Sequence, residues 1–200
     1  MYSRTPPVVL ALALSALLPM ARPPSLAAQV QVRSNVVGAA AVKAEMPGEG
    51  RFVFAGVGID AYQQPALWKP LDNAVNDVLR TRQALLDTYG FDSPEEWLLT
   101  DEEATAQAIL SLVDELRQNL QPDDNLVFFY AGHGAEVRDV VGGEEVGRTG
   151  FIVPVNVKGP VAQVPSQYIN IQVLLEALAR LPARHVLVIL DSCYSGLALE

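Results

Sequence analysis

The sequence predicts an α/β fold with a mostly parallel central sheet, and three observations predict it. Runs such as Leu126-Val127-Phe128-Phe129-Tyr130 and Val186-Leu187-Val188-Ile189-Leu190 are apolar throughout, as strands buried on both faces of a parallel sheet are. Between such runs lie segments whose apolar residues recur at helical spacing. The two kinds alternate along the chain, and because parallel strands connect through a crossover helix, helices are expected on both faces of the sheet.

Taken in order, Arg51 to Ile59 is the first core strand, followed by a loop from Asp60 to Pro70. Leu71 to Tyr89 reads as a helix, with Leu71, Ala74-Val75, Val78-Leu79 and Leu85-Leu86 on one face and Gly90 as its stop. Glu96 to Thr100 is a short second strand. After the acidic turn Asp101-Glu102-Glu103, Thr105 to Leu120 is a second helix carrying Ile109, Leu112-Val113 and Leu116, ended by Pro122. Leu126 to Tyr130 is the third strand. Glu136 to Gly150 reads as a Gly/Glu loop, Phe151 to Val155 as a short extended piece, Ile171 to Leu181 as the third helix and Val186 to Leu190 as the fourth strand.

Two hundred residues allow one domain with an appendage. Acidic residues outnumber basic ones 23 to 14, for a net charge of −9, and no Lys/Arg cluster forms a phosphate-binding face, which argues against nucleic acid as a partner. At the N-terminus Arg4, the apolar stretch Val8 to Leu18 and the small residues Ser25-Leu26-Ala27-Ala28 have the order of a secretory signal. The apolar stretch is shorter than the roughly 20 residues of a spanning helix. We therefore expect residues 1–27 to be a cleaved leader, residues 28–50 a linker or lead-in segment and residues 51–200 the folded domain. The mature chain would be exported, periplasmic or extracellular, with no stable membrane anchor.

Cys193 is the chain's only cysteine, with no disulfide partner in a compartment that favours disulfides. A buried, inert thiol is the bland reading, but Asp191-Ser192 before it and a Gly-containing turn after it are poor surroundings for a core cysteine. His133 lies 60 positions upstream, just past another apolar run. Both residues therefore belong at the carboxyl ends of strands, where an open α/β sheet forms its ligand crevice. A thiol attacks a carbonyl only as thiolate, its ordinary pKa is about 8.5, and an imidazole neighbour supplies the base. Flanked by Gly132 and Gly134, His133 has little to pack on as a merely structural residue. His185 precedes its strand and belongs at the opposite edge of the sheet.

The two strand ends, Tyr130-Ala131-Gly132-His133-Gly134 and Asp191-Ser192-Cys193-Tyr194-Ser195-Gly196, together resemble those of the caspase/metacaspase cysteine peptidases (peptidase family C14, clan CD), in particular its bacterial members. The resemblance covers residues 51–200. It implies a three-layer α/β/α caspase-like fold and a cysteine endopeptidase acting on polypeptides through a Cys193–His133 dyad. It also implies oxyanion donors from the backbone of Gly134 and Cys193. Metacaspases hold a P1 Arg or Lys with acidic residues, one just before the cysteine and one in the helix after the first strand; here these are Asp191 and Asp77. By strand alternation Asp191 and Cys193 also leave the strand end on the same side.

The Gln-Ala-Cys motif of Asp-specific caspases is absent. Ala74 stands where the family's helix motif has Cys, and Ala131 where metacaspases often have Ser. No metal or cofactor is expected for the chemistry itself; calcium activation is common in the family, but the acidic loop that follows its histidine is reduced here to Glu144-Glu145, so no ligands can be named. The family continues beyond its cysteine with further strands, so the resemblance implies that residues 51–200 are the large-subunit portion, lacking the C-terminal part of the fold. The alternative reading is a catalytically inactive caspase-like module used for binding or as a scaffold.

Overall fold

The structure is a computed structural model and describes residues 8–13, as backbone, and 50–192. In chain order its elements are strands β1 (Val8–Ala13) and β2 (Phe52–Gly58), helix α1 (Ala74–Tyr89), strand β3 (Leu98–Thr100), helix α2 (Ala106–Asn119), strands β4 (Asn125–Ala131), β5 (Gly134–Val141), β6 (Glu144–Ile152) and β7 (Ile169–Asn170), helix α3 (Ile171–Ala179) and strand β8 (His185–Asp191). The central sheet has the order β1-β8-β4-β2-β3, and every pair in it is parallel.

Both faces of this sheet are covered, as the continuous apolar runs require. Val53, Ala55 and Val57 of β2, Leu126, Phe128 and Tyr130 of β4, and Val186, Val188 and Leu190 of β8 point into one core with Ile109, Leu112 and Leu116 of α2 and Leu174 and Leu178 of α3. Phe54, Phe129 and Ala131 point the other way, against Ala74 and Val78 of α1. Each fully buried Leu or Phe contributes about 1.5–3 kcal/mol relative to leaving it exposed. Helix α1 lies so close to β2 that a Cβ on Gly58 would fall 2.9 Å from the Val75 Cα, and one on Gly56 2.6 Å from a Val78 methyl. Side chains at those two positions would push the helix off the sheet.

Three expectations change. Helix α1 begins at Ala74 rather than Leu71, because the Asp60 carboxylate caps it from outside, accepting from the N–H groups of Ala74 (2.7 Å) and Val75 (3.2 Å). Glu95–Trp97 forms a turn of 3-10 helix that buries Trp97, and only Leu98–Thr100 remains as strand.

The third change is larger, since residues 136–150 are not a loop but most of a long β-hairpin, β5 with β6, whose two-residue connection Gly142-Gly143 has φ of 64° and 91°. Positive φ at both central residues is the backbone of a tight hairpin turn, matched to the twist of the flanking strands. Arg138 and Arg148 face each other across this hairpin; Glu145 reaches both cations and Glu136 pairs with Arg148. Together with β7 the hairpin forms a second, antiparallel sheet.

Of the expected leader, residues 8–13 run as β1 along β8, from Val8 opposite His185 to Ala13 opposite Leu190. The cleavage region and the linker up to residue 49 lie outside the described residues. His185 is exposed at the amino end of β8, its Nδ1 2.8 Å from the Asn125 side chain, as expected for the edge opposite His133.

At that same amino edge the strands are tied by one buried carboxylate. Asp124, 2% exposed, accepts from the Arg51 backbone N–H (2.9 Å), the Arg51 guanidinium (2.7 Å) and the Gln121 N–H (2.9 Å). Burial alone would raise its pKa, but these donors outweigh it and hold the carboxyl below the usual range. A lowered folded-state pKa adds stability that is present above the unfolded value and is lost as pH falls through the folded one. Asp124→Asn should therefore lower stability by about 2 kcal/mol at neutral pH, and the gap to wild type should close as pH falls below about 4. Thermal unfolding followed from about pH 2 to about pH 7, a range that spans the carboxylate pKa, checks this; a gap independent of pH would refute it.

Candidate active site

The site forms where β2, β4 and β8 end. In the parallel register Gly58 lies beside Ala131, and Ala131 beside Asp191. One residue further the Gly132 N–H donates to the Asp191 carbonyl at 3.1 Å. The chain after β4, beginning at Gly132, is thus bonded to the last residue of β8, Asp191. Cys193 follows two residues later in sequence but lies outside the described residues.

His133 is half-buried and held on all sides. Its Nε2 is 2.7 Å from the Lys69 carbonyl oxygen. A carbonyl can only accept, so Nε2 carries the proton and the neutral ring keeps its lone pair on Nδ1. The ring packs against Tyr62 at 4.9 Å and Trp68 at 5.2 Å between centroids. Trp68 is fixed in turn by donating from Nε1 to the Tyr168 hydroxyl at 3.3 Å, which donates to the Gly159 carbonyl at 2.6 Å. The expectation that His133 has little to pack on is thereby corrected: its aromatic neighbours come from the loop after β2.

Gly134 opens β5, buried and opposite Ile152. Asp77 lies close enough to Asp191 for its charge to act on it. Asp77 sits in the first turn of α1, whose start is fixed through Asp60, and Asp60 is itself held by Asp101, whose Oδ1 accepts from the N–H groups of Asp60 and Ala61 at 2.8 Å each. Asp101 takes up a left-handed backbone, φ 41°, to reach them. Burial pushes the Asp191 carboxyl up, and the nearby charge of Asp77 pushes it further.

Comparison with known proteins agrees with this architecture. The metacaspase, peptidase C14 domain matches residues 55–200. The chain belongs to that family. Metacaspase-1 of Cryptococcus neoformans is 35% identical over 137 residues, 65% of this chain and 29% of the relative. Metacaspase-1 of Eremothecium gossypii is 30% identical over 72% of this chain and 32% of its own length, and Metacaspase-1B of Aspergillus fumigatus 31% identical over 72% and 35%. The chain therefore spans about a third of the length of these metacaspases. The crystal structure of protein GSU0716 from Geobacter sulfurreducens superposes with a TM-score of 0.56 over 72% of this chain and 50% of that one, at 19% identity, a likeness of fold.

Metacaspase resemblance pointed to His133, Gly134, Asp77 and Asp191 but not to Tyr62, Trp68 or Lys69. Tyr62 and Trp68 carried a signal, two aromatics in the loop at the carboxyl end of a core strand. Lys69 carried none, because it acts through its backbone carbonyl. Among the described residues no group of three or more His, Cys, Asp or Glu side chains gathers where it could hold a metal ion.

The acid pair yields a sharp expectation. Asp77→Asn should lower the Asp191 pKa while leaving it above the ordinary carboxylate value, because burial is the larger cause. Carboxyl carbon chemical shifts followed over pH will show it; an Asp191 midpoint unmoved by the substitution would disprove the coupling.

Proposed function

We propose that the protein is a cysteine endopeptidase in which Cys193 is the nucleophile and His133 the base. The observation that carries this reading is the His133–Lys69 hydrogen bond of 2.7 Å, since it leaves Nδ1 as the free acceptor on a ring at the end of β4, the strand paired with the one leading to Cys193. Nδ1 takes the thiol proton, and the thiolate attacks the scissile carbonyl. The N–H groups of Gly134 and Cys193 are assigned to the oxyanion. The imidazolium then gives its proton to the leaving amine, and water, deprotonated by the same nitrogen, hydrolyses the thioester to release the acid and restore the thiol.

The substrates are polypeptides cut after Arg or Lys. Support for a basic P1 residue is the mutual repulsion of Asp77 and Asp191, which a cation between them would relieve. Each charge-assisted hydrogen bond to such a side chain is worth about 1.5–3 kcal/mol, or roughly one to two decades in kcat/KM. Full-length protein should be alkylated at Cys193 by an Arg-directed chloromethyl ketone, seen by mass spectrometry, and labelling should collapse in His133→Ala. Matched fluorogenic peptides should be cut after Arg or Lys faster than after Asp, with the margin reduced in Asp191→Asn. Equal cleavage after Asp refutes the pocket; absence of any turnover across a peptide library, with and without calcium, supports the inactive scaffold instead.

The same reading has the chain exported, with residues 1–27 removed. Processing would take away β1 and free the outer edge of β8. N-terminal sequencing of protein recovered outside the cytoplasm should begin near Ala28; an intact Met1 or Tyr2 would end the proposal.

A further inference from the structure

Two buried tyrosine hydroxyls converge on His133. Tyr62 is 5% exposed and Tyr130 fully buried. The His133 N–H donates to the Tyr62 hydroxyl at 2.7 Å, and the Tyr130 hydroxyl donates to the His133 carbonyl at 2.7 Å. Tyr130 also lies 3.2 Å from the Val153 carbonyl and accepts from the Val153 N–H at 3.3 Å, which ties the arrangement to the chain leaving β6. Tyr62 thus takes up the His133 N–H and Tyr130 gives its proton to the His133 carbonyl, so that both peptide groups of the one residue are held by a phenol.

We propose that Tyr62 and Tyr130 are positioning residues, whose hydroxyls clamp the backbone of His133 from both sides and so hold its imidazole in register with the Lys69 carbonyl and the end of β8. This rests on the reading of His133 as the base and adds to it the means by which the base is placed. Bulk alone does not account for the pair. A phenylalanine fills the same volume without bringing a hydroxyl into the core, where a polar group is costly unless bonded.

Gly132 gives an independent sign of the same device. A Cβ there would stand 2.8 Å from the Tyr130 hydroxyl and 2.9 Å from that of Tyr62, so the residue before His133 has to lack a side chain for both hydroxyls to meet beside it. Burial pushes Tyr62 up to about 12 and Tyr130 well above its ordinary value, which keeps both phenols neutral and the clamp intact at working pH.

Tyr62→Phe, Tyr130→Phe and Gly132→Ala in full-length protein test this. Each should lower kcat by about tenfold to a hundredfold with KM little changed, as misplacing a catalytic group does. Nitrogen-15 histidine spectra should show His133 as a single Nε2-protonated tautomer in wild type and as a mixture in each variant, with His185 as the unmoved internal reference. A role in packing alone would lower thermal stability without shifting the tautomer. Should Tyr130→Phe fail to fold, Tyr62→Phe, which keeps its ring against His133, decides the matter. Turnover lost in His133→Ala but at the wild-type level in Tyr62→Phe, with an unmixed tautomer, overturns this proposal alone. Turnover that survives His133→Ala overturns the dyad and the clamp with it.

Discussion

The parallel pairing of β4 with β8 is the interaction on which the rest of the site depends. Register in a buried parallel sheet is fixed over its whole length, because a slip by one residue turns every side chain to the other face. Here the two cores do the fixing: Phe128 and Val188 belong to one face, Phe129 and Ile189 to the other. A slip would set each against the wrong layer. The pairing extends past the strands through the Gly132 N–H on the Asp191 carbonyl, so the backbone leading to His133 is bonded to the backbone leading to Cys193. Burial of apolar side chains far from the chemistry therefore sets the spacing of the two strand ends.

A second constraint runs through carboxylates rather than through the core. Asp101 holds the start of the loop after β2, Asp60 in that loop holds the first turn of α1, and Asp77 belongs to that same turn. Anionic side chains suit this position because a helix N-terminus presents unpaired N–H groups and a positive dipole end. The same loop carries Tyr62, Trp68 and Lys69, so one short segment both anchors a helix and surrounds the histidine. Loops of this kind bring function to the end of a sheet while the strands supply rigidity.

The setting of Asp191 is one that costs stability. Burial, and after it the nearby charge of Asp77, disfavours the charged form of this half-buried carboxyl and raises its pKa. Asp124 at the other edge of the sheet shows the opposite case, an acid whose donors outweigh its burial and whose pKa falls. The contrast separates a carboxylate whose donors outweigh its burial from one whose burial is not offset.

The sequence by itself determined the α/β class, the succession of the core elements along the chain and the strand end that carries His133. Those features are local: an apolar run long enough to be buried on both faces, closed by a Gly or Asp cluster, is written in consecutive residues. The β5–β6 hairpin was equally local, since Gly142-Gly143 is a turn signal, but the charged residues around it masked the alternation of its strands. Only the tertiary structure decided what surrounds His133. Tyr62, Trp68 and Lys69 lie 64 to 71 positions upstream of it, and they meet it because β2 and β4 pair in parallel and send their following loops to the same edge. The choice of Nδ1 as the free nitrogen rests on a main-chain carbonyl, which every residue possesses, so no side-chain pattern could have announced it.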